Sequence, residues 1–200
     1  MLVGQIMTKD VATISPEKQV GQALKLMQKR GIRHLPVVSQ GAMVGWITSR
    51  DLREVLLASM LEKITVGDVM VQAPITVSPN TSVEEAARLV VDHKIGGMPV
   101  MEGEKLVGVI TMLDLIAAFT AMLGLLRSSS RLDLRLEDQP GVLEAATETI
   151  KQAGGKVINV ALGPSQKGRR SYYFRLEKCD LKPIINVLKK QGIEVVEAIP

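Results

Sequence analysis

Displaced by 63 residues, the chain aligns with itself without a gap: residues 3–52 fall on residues 66–115, and 18 of the 50 positions are identical. Unrelated chains of ordinary composition would share about three. The identities include Gly4/Gly67, Met7/Met70, Thr13/Thr76, Pro16/Pro79, Pro36/Pro99, Gly45/Gly108, Thr48/Thr111 and Asp51/Asp114. One supersecondary unit is therefore written twice. A unit of about 60 residues has too little interior to stand comfortably alone, so the two copies are expected to pack on each other about a pseudo-twofold axis and leave two related clefts.

Periodicity changes in the same order in both copies. Residues 11–14 read as a short strand, and Val20, Ala23, Leu24 and Met27 recur at helical spacing up to Gly31. Residues 35–38 and 43–47 then form a strand pair around Gln40-Gly41, and a helix starts near Asp51. The second copy repeats this with a strand at 75–77, a helix at 82–93, strands at 98–101 and 106–110, and a helix from Leu113. The closing helices differ. Residues 52–64 include Arg53, Glu54, Glu62 and Lys63, whereas residues 115–126 hold no charge. A helix apolar all round is covered all round, which predicts an interface there with another subunit or with the C-terminal domain.

Ser128, Ser129 and Ser130 read as a short polar linker, and the pattern after it is new. Leu132, Leu134 and Leu136 alternate as a strand. A helix over 142–153, strands at 157–162 and 171–176, a helix over 181–191 and a strand at 193–199 complete a βαββαβ order, a ferredoxin-like unit. The fold class expected is α+β, divided into 1–64, 65–127, a linker at 128–130, and 131–200.

Several chemistries drop out early. Cys179 is the single cysteine, so an internal disulfide or a multi-thiolate metal site cannot form, in keeping with a reducing, cytoplasmic setting. His34 and His93 are far apart and lack acidic neighbours at ligand spacing, against a zinc centre. The longest nearly apolar run is half the roughly 20 residues a membrane helix needs, and no secretory signal is expected. A net charge of +4 is a mild excess. Lys167, Arg169 and Arg170 beside Tyr172, Tyr173 and Phe174 could suggest nucleic acid, but alternation places Tyr172, Phe174 and Leu176 on one core face and leaves the basic residues at a solvated hairpin tip.

The sharpest local signals are residues 45–51 (GWITSRD) and 108–114 (GVITMLD), each where a strand hands over to a helix. A threonine hydroxyl and the first free helix amides can bind an anion, and the aspartate three residues on can accept two hydrogen bonds from a ribose cis-diol. The leading glycine permits close backbone approach. Thr-x-x-Asp is equally a helix cap of the capping-box kind. One copy alone favours the cap. Repetition with the glycine in both units favours a ligand, because a cap has no need of that glycine.

These motifs, with residues 13–16 (TISP) and 76–79 (TVSP) and residues 34–38 (HLPVV), make residues 1 to about 126 closely resemble a tandem pair of CBS domains, the Bateman module. That resemblance implies an adenosine-containing regulatory ligand, such as AMP, ADP, ATP, NAD or S-adenosylmethionine, held in the clefts between copies, with no obligatory cofactor. It places Asp51 and Asp114 on ribose, Thr48 and Thr111 near ribose or phosphate, and the backbone around Thr13 and Thr76 at the adenine edge. Arg33 and His34 fall where the family often contacts phosphate, and Arg50 is a further phosphate candidate. Their counterparts Gly96, Gly97 and Leu113 make the two clefts unequal. Met98 is a weaker candidate for an adenine pocket.

Residues 131–200 resemble an ACT domain through residues 138–143 (DQPGVL), which makes Asp138 and Gly141 candidates for an amino-acid ligand. Pro140 and Gly141 also suit a well-formed helix start. Lys156 stands where several amino-acid-binding relatives carry a smaller polar residue, so pairing alone could be this domain's work. The chain as a whole resembles the acetoin-utilisation AcuB-type proteins. The function expected is a non-catalytic regulator that homodimerises through its CBS helices and ACT sheets and acts on a partner enzyme. No nucleophile stands beside a base and there is no lysine-bearing phosphate loop, which argues against the alternative of a nucleotide hydrolase. A second alternative is an amino-acid sensor in which the CBS pair serves as a dimerisation scaffold.

Overall fold

The computed structural model of the protein describes residues 1–58, 64–125 and 128–200, with 56–58 described by their backbone alone. The chain divides into two compact units, Met1–Ala118 and Phe119–Pro200. Glu62, Lys63 and Leu126, used above to contrast the two closing helices, lie outside the described residues.

In the first unit the repeat is visible element by element. Helix α1 (Val20–Arg30), strands β1 (His34–Ser39) and β2 (Ala42–Thr48) and helix α2 (Ser49–Ala58) make up the first copy. After the short helix α3 (Val66–Val69), helix α4 (Val83–His93), strands β3 (Gly97–Glu102) and β4 (Lys105–Thr111) and helix α5 (Met112–Met122) make up the second. Each strand pair is an antiparallel hairpin, and even the irregularity in register is duplicated, between Val37 and Val38 and again between Val100 and Met101. The strands expected at 11–14 and 75–77 shrink to single parallel bridges, Ile14 to Val37 and Val77 to Val100.

Apolar spacing explains the packing. In the first copy Val20, Ala23 and Met27 of α1 meet Leu35, Val37, Ile47 and Leu52 in one cluster. Both first helices end on a left-handed residue at the equivalent place: Gly31 at φ 65° and Lys94 at φ 54°. Only the glycine adopts that conformation freely.

The repeat in sequence is not the module in space. Residues 1–8 bond to the second copy: the Val3 amide donates to the Thr81 carbonyl at 2.9 Å, and Thr8 and Val109 exchange backbone hydrogen bonds at 2.9 and 3.0 Å. Residues 65–71 do the same to the first: the Gly67 amide donates to the Pro16 carbonyl at 2.9 Å, and Trp46 and Val71 pair at 2.9 and 2.8 Å. A division after residue 64 therefore separates each leading segment from the strands it completes.

The second unit holds strands β5 (Ser129–Glu137), β6 (Val157–Gln166), β7 (Arg169–Glu177) and β8 (Glu194–Ile199) in one antiparallel sheet, ordered β6-β7-β5-β8. Helices α6 (Val142–Gln152) and α7 (Lys182–Lys190) complete the βαββαβ order. Leu132, Leu134, Leu136, Tyr172, Phe174 and Leu176 pack with Ala146, Ile150, Ile184 and Leu188 in its core. Two details differ from the expectation. Ser129 and Ser130 are strand, not linker: Ser130 is fully buried, and its hydroxyl accepts from the Cys179 amide at 3.1 Å and donates to the Cys179 carbonyl at 3.2 Å. The strands expected at 157–162 and 171–176 also run further, to Gln166 and from Arg169, leaving Lys167-Gly168, both at positive φ, as the two-residue turn whose twist suits paired strands.

Candidate functional site

The Thr-x-x-Asp stretches are built alike. In the first copy the Thr48 amide and hydroxyl both donate to Asp51 Oδ2, at 2.9 and 2.8 Å, and the Asp51 amide reaches Thr48 Oγ1 at 3.4 Å. In the second the Thr111 amide and hydroxyl donate to Asp114 Oδ2 at 2.8 and 2.6 Å, with the same return bond at 3.4 Å. These are capping boxes. Thr65 and Asp68 make the same two bonds at 2.8 and 2.6 Å with no glycine at the corresponding place. The box occupies one carboxylate oxygen and leaves Oδ1 of Asp51 and Asp114 for another donor.

The leading glycines answer to packing. A Cβ on Gly45 would lie 2.5 Å from Met70 Sδ, and a Cβ on Gly108 would lie 2.5 Å from Met7 Sδ. Each glycine makes room for the segment that crosses from the other copy. The glycine therefore does not discriminate between cap and binding site.

Discrimination comes from the opposite wall. A cavity of about 340 Å³ is lined by Thr111, Leu113 and Asp114 of the second copy and, facing them, by Arg30, Arg33 and His34 of the first. Thr8, Asp10, Val11 and Ala12 close a further side. Its volume lies within the range of about 300–1,000 Å³ found for small-molecule sites. Of the residues singled out from the sequence, Arg33, His34, Thr111 and Asp114 are thus brought together across the repeat boundary. Thr48 and Asp51 sit in the equivalent box of the first copy, outside this cavity, and Arg50 is exposed beside them. Thr13 and Thr76 are exposed, and the cavity is met by Val11 and Ala12 in place of Thr13. Met98 is fully buried and is not among the residues that line this cavity.

His34 is the least symmetric residue of the site. It starts β1 opposite Thr48, and its ring stacks on Trp46 with centroids 5.6 Å apart. A Cβ on Gly96 would lie 2.8 Å from His34 Nε2, so the glycine that replaces Arg33 in the second copy leaves room for the imidazole. Burial, reinforced by the neighbouring Arg33 charge and opposed by Asp51, lowers the His34 pKa below its ordinary value.

Sequence reading missed Arg30, Asp10 and Trp46. Arg30 closes a helix in the manner of any basic C-terminal residue, and Asp10 enters the cavity because residues 1–8 cross to the second copy. The single tryptophan carried a signal, since Trp46 is the counterpart of Val109 at the floor of the cavity.

In the C-terminal unit Asp138 is already engaged. Arg170 donates to its two oxygens at 3.1 and 2.9 Å and Ser165 donates at 2.8 Å, which together hold its carboxyl below the usual range. Gly141 stands ahead of α6 at φ 84°, facing open space. Arg169 pairs with Glu194 at 3.3 Å, so two of the basic hairpin residues are matched by carboxylates. Among the described residues no group of three or more His, Cys, Asp or Glu side chains could hold a metal, and no helix is long and apolar enough to cross a membrane. Leu113, Ile116 and Met122 of α5 are exposed.

A model of the CBS domain matches residues 3–58 and again 66–121. The chain belongs to the CBS-domain family. The CBS domain-containing protein YhcV of Bacillus subtilis is 34% identical over 114 residues, 56% of this chain and 81% of that protein. The inosine-5'-monophosphate dehydrogenase of Korarchaeum cryptofilum is 38% identical over 107 residues, but these make up 53% of this chain and only 22% of that enzyme. Among solved structures, the CBS domain pair of MJ0100 in complex with 5'-methylthioadenosine and S-adenosyl-L-methionine is 31% identical, with TM-score 0.56 over 60% of this chain and 97% of that one. CBSX2 in complex with AMP is 27% identical, with TM-score 0.53 over 60% and 96%. An acetoin utilization protein, AcuB, from Vibrio cholerae is 29% identical, with TM-score 0.58 over 62% and 96%.

Proposed function

We propose that this CBS pair is a regulatory, non-catalytic module that binds an adenosine-containing ligand in the cavity between its repeats. One observation carries the reading: a cavity of ligand size joins two arginines and a histidine of one copy to the Thr-x-x-Asp box of the other. Asp114 Oδ1 accepts from the ribose hydroxyls, Arg33 and Arg30 answer phosphate, and the adenine edge lies toward Val11 and Ala12. The adenosine ligands of MJ0100 and CBSX2 support this assignment. The related place around Thr48, Arg50 and Asp51 is faced by Gly96 and Gly97 and suits a less charged ligand, or none.

A ligand in the cavity shifts the arrangement of the module by its difference in affinity between two states. The readout is a homodimer in which the exposed apolar face of α5 packs against a second copy, together with the C-terminal unit, read as an ACT domain, and a partner enzyme in the cytoplasm. Amino-acid sensing at Asp138 is the weaker reading, because Arg170 and Ser165 occupy that carboxylate.

The single tryptophan supplies the test. Trp46 stacks on His34, which lines the cavity, so titration with AMP, ADP, ATP, NAD or S-adenosylmethionine changes its fluorescence saturably for at least one ligand. A flat response to all five, with no thermal stabilisation by any of them, overturns the proposal.

A further inference from the structure

One arginine on the face of the C-terminal sheet opposite its two helices differs from its neighbours in having no ion pair among the described residues. Arg131 on β5 and Arg175 on β7 are directly opposite in register, an arrangement of like charges that destabilises an antiparallel pair. One of the two is answered. Arg131 donates from Nε and Nη2 to the two oxygens of Asp133, at 2.7 and 2.5 Å, and its guanidinium lies 5.3 Å from the Tyr173 ring centre. Asp133 is 5% exposed and belongs to that pair. Arg175 donates from Nη1 to the Ser129 hydroxyl at 2.8 Å, and among the described residues it joins no ion pair.

Arg175 also lines a cavity of about 220 Å³, with Asn159 beside it and Leu123, Leu125 and Ala161 as apolar wall. Asn159 is the register partner of Arg175, and Ala161 that of Tyr173, so these side chains share the open face. The volume falls below the roughly 300–1,000 Å³ of pockets for larger ligands, which limits an occupant to a few carbon atoms. A guanidinium with unused donors pairs a carboxylate through two parallel hydrogen bonds. A phosphate dianion would need a second free cation, and Arg131, the other cation lining the cavity among the described residues, is committed to Asp133. An amino acid would need an acceptor for its ammonium group; Asp133 is committed to Arg131, and Glu197, 3.8 Å from the same guanidinium, is not among the residues that line the cavity.

We propose that this cavity is a second ligand site, independent of the one between the repeats, and that it takes a short aliphatic monocarboxylate. The carboxylate sits on Arg175 and Asn159, and the hydrocarbon tail lies against Leu123, Leu125 and Ala161.

Saturation-transfer NMR on the intact chain tests this with isovalerate, its neutral isostere isovaleramide, and leucine. Isovalerate binds saturably in the millimolar range expected for so small a ligand, and the amide and leucine bind at least about tenfold more weakly. Arg175→Gln weakens isovalerate by about tenfold or more, and Lys151→Gln, on an exposed position of α6, leaves it unchanged. If circular dichroism shows Arg175→Gln unfolded, Ala161→Leu, which fills the apolar wall, abolishes binding in its place. Equal binding of acid and amide, equal binding of leucine, unchanged affinity in a folded Arg175→Gln or Ala161→Leu chain, or no saturable signal at concentrations on the order of tens of millimolar overturns the proposal.

Discussion

The two repeats build their Thr-x-x-Asp boxes from the same bonds, with lengths that agree within 0.2 Å, yet place different walls opposite them. The box of the second copy looks across at Arg30, Arg33 and His34. By the 63-residue offset, the counterparts of Arg30, Arg33 and His34 are His93, Gly96 and Gly97. Duplication preserved what folds the unit, the cap and the crossing segment, while the wall contributed by the other copy was free to diverge. On the function proposed above, ligand choice resides in the pairing of one copy's box with the other copy's helix-strand junction.

The comparison breaks most visibly at the aspartates. Asp114→Ala and Asp51→Ala each remove a capping box and cost about 1 kcal/mol, a melting shift of roughly 2–4 °C for a chain of this size. Only Asp114→Ala also loses charge-assisted bonds to the sugar in the charged cavity, weakening ADP by about 10–100-fold in calorimetry. Equal loss in both variants would mean the walls do not matter. Next in size is Arg33→Gln, which weakens ADP by about tenfold and leaves 5'-methylthioadenosine, which has no phosphate, unchanged.

Gly96→Ala tests the axis itself. The added methyl displaces His34 at a cost of about 0.5–1.5 kcal/mol in stability, and Trp46 fluorescence of the free protein changes with it. Lys94→Gly gives the second copy the helix end the first one has, and stabilises the fold by about 0.5–1 kcal/mol, read from denaturant midpoints. The smallest effect is that of pH. Because the folded state lowers the His34 pKa below 6.5, its contribution is fully present above about pH 6.5 and is lost as pH falls through the folded value. His34→Gln flattens that acid limb of the stability curve.

The repeat, the order of elements in both units and the core faces were legible because 3.6-residue and two-residue spacings report burial directly. The Thr-x-x-Asp boxes were legible as local motifs for the same reason. What the sequence concealed is long-range. That residues 1–8 complete the second copy and 65–71 the first is set by hydrogen bonds between segments far apart in the chain, and so is the meeting of Arg33 and Asp114 in one cavity. It also explains why Gly45 and Gly108 reflect the methionines that cross them, and why Met98 is core. Ser130 read as linker because its buried hydroxyl is satisfied by Cys179, 49 residues on.

A crystal structure with ADP tests the cross-repeat site most directly. We expect the ribose hydroxyls on the free oxygen of Asp114 and the phosphates on Arg33 of the opposite copy. Nucleotide bound at Thr48 and Asp51 alone, or held within a single repeat, would contradict it.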